Sequence, residues 1–194
     1  MKNNVVLTLL LFTVLFVGVL YAQEGKDATP KGFKGEFLTQ LADVQDKIVS
    51  LAEAMPQDKF VWRPAEGVRS VSEVFMHIAG ANYMFPTVVG VKKPEGLTPD
   101  MEKTVTDKAK VIEVLKQSFE HVRKAMVSVA DEDLDKKVDL FDHETTYRGV
   151  FFTTANHMHE HLGQAIAYAR MNGVVPPWTA KEQAEAAKKK AEKK

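Results

Sequence analysis

The chain contains no cysteine among its 194 residues. This absence excludes a disulfide framework, a thiolate nucleophile and a zinc site with cysteine ligands. It also excludes a bacterial lipoprotein, because the lipid would be attached to a cysteine directly after an N-terminal signal sequence. A chain without cysteine is compatible with an oxidising compartment.

Net charge is also lacking, because 26 Lys and Arg residues balance 26 Asp and Glu residues. Nothing in the global charge therefore favours nucleic acid or a strongly charged partner. Hydrophobic residues make up 45% of the chain, which is enough for one sizeable core. We expect one globular domain, with a small-molecule substrate of unknown identity and no nucleic-acid partner.

The long apolar run of the chain lies at the N-terminus, at Val5–Tyr21, after a start that carries Lys2. Its length, its single basic flank and the small residue Ala22 predict a secretory signal peptide over residues 1–22. The alternative is an uncleaved anchor, because Leu20 at the −3 position is not a small residue. Either reading places the domain outside the cytoplasm, and cleavage after Ala22 would leave a periplasmic or secreted protein without a membrane span.

Four later segments repeat apolar residues at spacings of three and four, which is the period of an amphipathic helix. They run from Gly32 to Met55, from Ser70 to Pro86 or Gly90, from Thr104 or Thr106 to Ala130, and from Gly149 to Asn172. Such a pattern predicts an all-α domain, a four-helix bundle, over residues 32–178.

The remaining segments are connections and ends. Residues 23–31 are polar with Gly and Pro and predict a linker. Residues 137–147 are either extended or a loop, without convincing paired strands. Apart from Thr179, residues 179–194 contain only Ala, Glu and Lys with one Gln, and they predict either a solvated helix or a disordered tail.

Histidines supply the candidate chemistry. His157 and His161 are four residues apart, so they lie one turn apart on the same helical face and can aim at one cation. His159 lies about 200° around the helix from His157 and cannot join them. A helical pair of this spacing is more often a surface or capping pair than a pair of ligands. Two histidines are also an incomplete metal site, so a third ligand must come from elsewhere in the chain. The best candidate is His77 in the second helix, with Glu73 one turn earlier as a partner for its other ring nitrogen or as a base.

Over roughly residues 33–178, the chain resembles members of the DinB/YfiT superfamily of helical-bundle, metal-dependent enzymes. The resemblance rests on the order of Trp62-Arg63-Pro64, Gly67, Ser70, His77, His157, His161, Gly163-Gln164, Gly173 and Pro176-Pro177. This order is more specific than any one of its parts.

The resemblance implies an up-down-down-up bundle with a three-histidine metal site between the second and fourth long helices. His77 matches the first family ligand, His157 the second and His161 the third. It also implies that Gly163 allows close helix packing and that Gln164 can hydrogen-bond across the bundle.

Three imidazoles would hold zinc, nickel or iron(II) and leave a position open for water or substrate. We therefore expect an exported metal-dependent hydrolase of unassigned substrate. The alternatives are a non-catalytic, dimeric metal-binding module and a thiol-dependent transferase. Family members often look dimeric, so a homodimer is also expected.

Overall fold

The computed structural model describes residues 31–192, and the chain there is mostly helical with one small hairpin. The helices are α1 (Gly32–Ala54), α2 (Val71–Met84), α3 (Met101–Thr104), α4 (Lys108–Ser128), α5 (Tyr147–Met171) and α6 (Pro177–Ala191). The strands are β1 (Lys137–Leu140) and β2 (His143–Thr146). The predicted signal peptide, and all of the predicted linker except Lys31, lie outside the described residues.

The four long helices surround one apolar core, which confirms the predicted all-α class. α1 packs against α4 and α5, and α2 packs against the same two helices. Fully buried side chains from each helix fill the space between them, among them Ile48, Phe75, Phe119 and Met158. Each such side chain contributes roughly 1.5–3 kcal/mol by leaving water. The packing sets α2 beside α5, while the up-down-down-up order of helix directions stays a prediction.

Helix α2 begins where its sequence predicts. Ser70 Oγ accepts a hydrogen bond from the backbone N–H of Glu73 at 3.3 Å. The Glu73 carboxylate in turn accepts from the backbone N–H of Ser70 at 2.7 Å. This reciprocal capping box satisfies two N–H groups that a helix start would otherwise leave unpaired.

Two other helix starts differ from prediction. The third long helix begins at Lys108 rather than near Thr104 or Thr106, because the Asp107 side chain caps it by accepting from the N–H of Lys110 at 2.8 Å. Residues 101–104 form the separate short helix α3. Helix α5 begins at Tyr147, two residues before the predicted Gly149, because Thr146 supplies its cap.

Residues 137–146 form an antiparallel hairpin, so the expectation of no paired strands was wrong. Lys137 pairs with Thr146 and Leu140 pairs with His143. The two turn residues, Phe141 and Asp142, have φ values of 52° and 63°. Two-residue hairpin turns of this kind normally use Asn-Gly or Asp-Gly. Phe-Asp carries no such signal, which explains why the sequence did not predict the turn.

The C-terminal segment is helical over Pro177–Ala191, which selects the first of the two alternatives for the tail. This helix packs against α1. Within residues 31–192, none of the helices combines the length and the apolar character needed to cross a bilayer.

Candidate metal centre

The packing of α2 against α5 brings the three predicted histidines together. One potential ligand atom from each of His77, His157 and His161 lies within 4.8 Å of the others. The Nε2 atoms of His77 and His157 are 3.1 Å apart. The three ring centroids are separated by 4.5 to 4.9 Å. Three nitrogens at such distances can surround one cation with bonds near 2 Å.

Two of the rings are oriented through their second nitrogen. Nδ1 of His77 donates to the carboxylate of Glu102 at 2.9 Å, and Nδ1 of His161 donates to the amide oxygen of Gln164 at 2.8 Å. A carboxylate and an amide oxygen only accept, so both Nδ1 atoms carry the hydrogen. In the neutral form of each ring, the lone pair is therefore on Nε2, where a metal ligand needs it.

Each of these acceptors is held in turn. Glu102 also accepts from Arg69 Nε at 2.7 Å, and Gln164 donates to the Tyr168 hydroxyl at 3.0 Å. Burial raises the pKa of Glu102, but the hydrogen bonds from Arg69 and His77 outweigh burial and leave the pKa below its ordinary value. Glu102 is therefore an anion at neutral pH. Its negative charge beside His77 favours the binding of a metal cation by that ring.

His157 is the third ring, and it is strongly held in the neutral form. Burial, followed by the nearby His161, His77 and Arg69, lowers its pKa from 6.5 to about 4. Its Nδ1 atom is buried and has no hydrogen-bond partner among residues 31–192. Its Nε2 faces Nε2 of His77 at 3.1 Å, so either it donates a hydrogen bond there or the two nitrogens share a bound cation. The set of three imidazoles thus fits a divalent transition metal.

Glu73, predicted as the partner of His77 or as a base, is placed elsewhere. Its carboxylate accepts from the backbone of Ser70 and from Arg63, the latter at 3.0 Å. Glu102 holds the position that was expected of Glu73. It comes from α3, 25 residues after His77, and no periodicity or spacing in the sequence indicated that it would fold back.

The other residues singled out from the sequence stand outside the cluster. His159 is exposed on α5, where its Nδ1 donates to the carbonyl of Ala155 at 2.8 Å. Gln164 bonds within α5 rather than across the bundle, which corrects the expectation. The expectation for Gly163 was also wrong, because a Cβ there would meet no described atom within 4 Å. Trp62 packs its ring against Tyr168, with centroids 5.5 Å apart.

A family comparison can now be set beside this geometry. Residues 40–165 match the model of the DinB superfamily. The chain therefore belongs to the DinB superfamily, as its sequence motifs predicted. Among curated proteins it is similar to the uncharacterized protein YjoA of Bacillus subtilis (strain 168). The two are 27% identical over 127 residues, which cover 63% of this chain and 80% of that protein.

Solved structures support the same fold. A DinB-like protein from Bacillus cereus ATCC 10987 superposes with a TM-score of 0.65 at 21% identity, covering 73% of this chain and 93% of that one. The DinB-like YjoA of Bacillus subtilis gives 0.58 at 24% identity, with 72% and 93% covered. A conserved protein from Enterococcus faecalis gives 0.62 at 14% identity, with 73% and 97% covered.

The lowered pKa of His157 predicts a pH dependence of stability in metal-free protein. The unfolded chain takes up a proton on this residue below pH 6.5, whereas the folded chain does so only near pH 4. The free energy of unfolding should therefore fall as the pH is lowered through this window. Denaturant titrations of chelator-treated protein at several pH values measure the slope. His157→Gln should flatten it and the exposed control His159→Gln should not, and an equal slope in His157→Gln would contradict the assignment.

The contacts of His77 predict different roles for two glutamates. Glu102→Gln should weaken zinc binding by about 10- to 100-fold, because the neutral amide holds and polarises the imidazole less well. The matched control Glu73→Gln keeps a side chain suited to the capping box and should leave the affinity unchanged. Competition with a zinc-binding indicator at neutral pH gives both dissociation constants. A loss in Glu73→Gln equal to that in Glu102→Gln would restore Glu73 as the partner of His77.

Proposed function

We propose that His77, His157 and His161 bind one divalent transition metal ion and that the domain is a metal-dependent hydrolase. The observation that carries the proposal is the convergence of three imidazoles within 4.8 Å, two of them already oriented by oxygen acceptors. Imidazole ligands suit zinc, nickel and iron(II) alike, so the donor set leaves these three as candidates.

Three protein ligands leave at least one coordination position open, and a metal ion there would polarise a bound water or a substrate carbonyl. Hydrolysis then joins the oxygen of water to the acyl carbon, breaks the bond to an alcohol or amine, and transfers the proton to that leaving group. The structure supports this chemistry through a cavity of about 530 Å³ that borders His77 and His157.

Residues of the chain itself would position the reaction. Glu102 and Gln164 keep two ligand rings in one orientation, and Arg69 keeps Glu102 charged and in place. Both oxygens of Glu102 are engaged, by Arg69 and by His77, so its role is to position His77 rather than to accept a proton from water. Phe85 packs edge-on against His157, with centroids 5.6 Å apart, and shields that ring from water.

Metal analysis combined with turnover tests the proposal. Purified protein should carry about one ion per chain by elemental analysis, and substituting any one of the three ligands by Ala should abolish it. His159→Ala is the matched control, since this histidine lies on the same helix but faces solvent, and it should retain the ion. Hydrolysis of a panel of nitrophenyl esters and anilides should disappear with chelation and return with metal.

Each outcome of that experiment points to one reading. An ion that persists in the ligand variants would overturn the site. An ion lost as expected, but without hydrolysis by any metal form, would replace the hydrolase with a non-catalytic metal-binding module. Consumption of a low-molecular-weight thiol with an electrophilic acceptor would replace it with a transferase. The homodimer expected from the sequence stays a prediction.

Export is proposed as well, on the strength of the apolar run Val5–Tyr21 and the small residue Ala22. Mass spectrometry of the protein recovered from cell fractions should find a mature N-terminus at Gln23 outside the cytoplasm. A full-length chain in the membrane fraction would indicate the uncleaved anchor, and a full-length chain in the cytosol would contradict export.

A further inference from the structure

The cavity beside the histidine cluster is lined mostly by apolar side chains. Its polar lining comprises His77, His157 and Glu102 at the candidate site, together with Tyr83, Lys93 and Thr98. The apolar wall includes Met76, Met84, Phe85, Leu97, Met101 and Phe141. Its volume of about 530 Å³ lies within the range of small-molecule sites, and such sites combine apolar walls with a few polar groups.

A glycine keeps this cavity open next to the candidate metal ligands. His77, Gly80 and Met84 follow one another on α2 at spacings of three and four, so they share one helical face, and all three line the cavity. Glycine weakens a helix interior. No crowding requires it here, because a Cβ on Gly80 would meet no described atom within 4 Å. The missing side chain leaves open space on the α2 side of the cavity between His77 and Met84. We call this strip of the cavity the channel.

An aromatic residue is held at the edge of the same cavity. Phe141 lies at the tip of the hairpin with a φ of 52°, a conformation that bulky residues rarely adopt. Its side chain is 63% exposed, although it lines the cavity. Its ring lies 6.0 Å from that of Phe85, which in turn packs on His157. The two-residue turn requires this conformation, so the hairpin fixes the ring at the cavity edge.

We infer that the cavity selects acyl esters or amides with an elongated apolar group. The polar head would lie at His77 and His157, and the apolar group would run past Gly80 and Met84 with Phe141 over it. This inference rests on the proposed function for the identity of the head, whereas the apolar channel rests on the lining residues alone.

Straight-chain hydroxamic acids, from acetohydroxamic to octanohydroxamic acid, provide a probe series with one metal-binding head and a growing tail. Calorimetry on zinc-loaded protein should show the dissociation constant falling by about two- to fourfold for each added methylene. Gly80→Leu fills the channel and should abolish this dependence, with metal content and acetohydroxamic acid binding unchanged. Leucine also favours the helix, so this variant is expected to fold.

Two further variants sharpen the result. Gly163→Leu is the matched control: it replaces a helical glycine that also has no described atom within 4 Å of its Cβ and does not line this cavity. It should keep the dependence on chain length. Phe141→Asn removes the ring but suits a positive φ, so the hairpin should remain while the longest probes bind several-fold more weakly.

The outcome separates the channel from the metal site. If the protein binds zinc but binds short and long hydroxamic acids with equal affinity, the channel is overturned and the metal site is retained. If no metal binds, calorimetry with the corresponding primary alcohols and chelator-treated protein tests the channel by itself. Affinity that rises with chain length and is lost in Gly80→Leu supports it, and a flat series overturns it.

Discussion

The register of α2 against its neighbours is the constraint on which the candidate site depends. A shift of one residue along a helix turns a side chain by about 100°, which would carry His77 away from α5. Buried polar contacts hold the register on the other side of α2. Asn82 donates to Ser118 on α4 at 3.1 Å, and both side chains are fully buried. Because a buried polar group without a partner is costly, sliding α2 would sacrifice this pair together with the apolar packing.

The same packing explains how the site can hold three imidazoles at close range. Burial disfavours the protonated form of His157 and His77, so mutual repulsion between cations does not drive the rings apart. At His77 the hydrogen bond to Glu102 raises the pKa and offsets only part of the lowering by burial. The result is a cluster of imidazoles with the Glu102–Arg69 ion pair behind it and a mostly apolar cavity beside it. These are the conditions under which a protein binds a transition metal and leaves a face open to a ligand.

Periodicity and spacing predicted most of this arrangement, and the misses have physical causes. The four helices and the pair His157 and His161 follow directly from a 3.6-residue period. Placing His77 opposite that pair required the packing of two segments 80 residues apart, and the family motifs supplied that information. Glu102 escaped prediction because its position depends on how a connection folds back over α2. The hairpin escaped because Phe141 and Asp142 adopt left-handed backbone without the usual turn residues.

The histidine cluster joins positions that are far apart in sequence, since residues 77 and 157 lie 80 positions apart and belong to different helices. A cation coordinated by both helices would therefore act as a cross-link that exists only in the native state. By mass action, such a ligand raises the free energy of unfolding in proportion to the logarithm of its free concentration. The supply of metal in the surroundings would then govern how long the folded protein persists, independently of any reaction it catalyses.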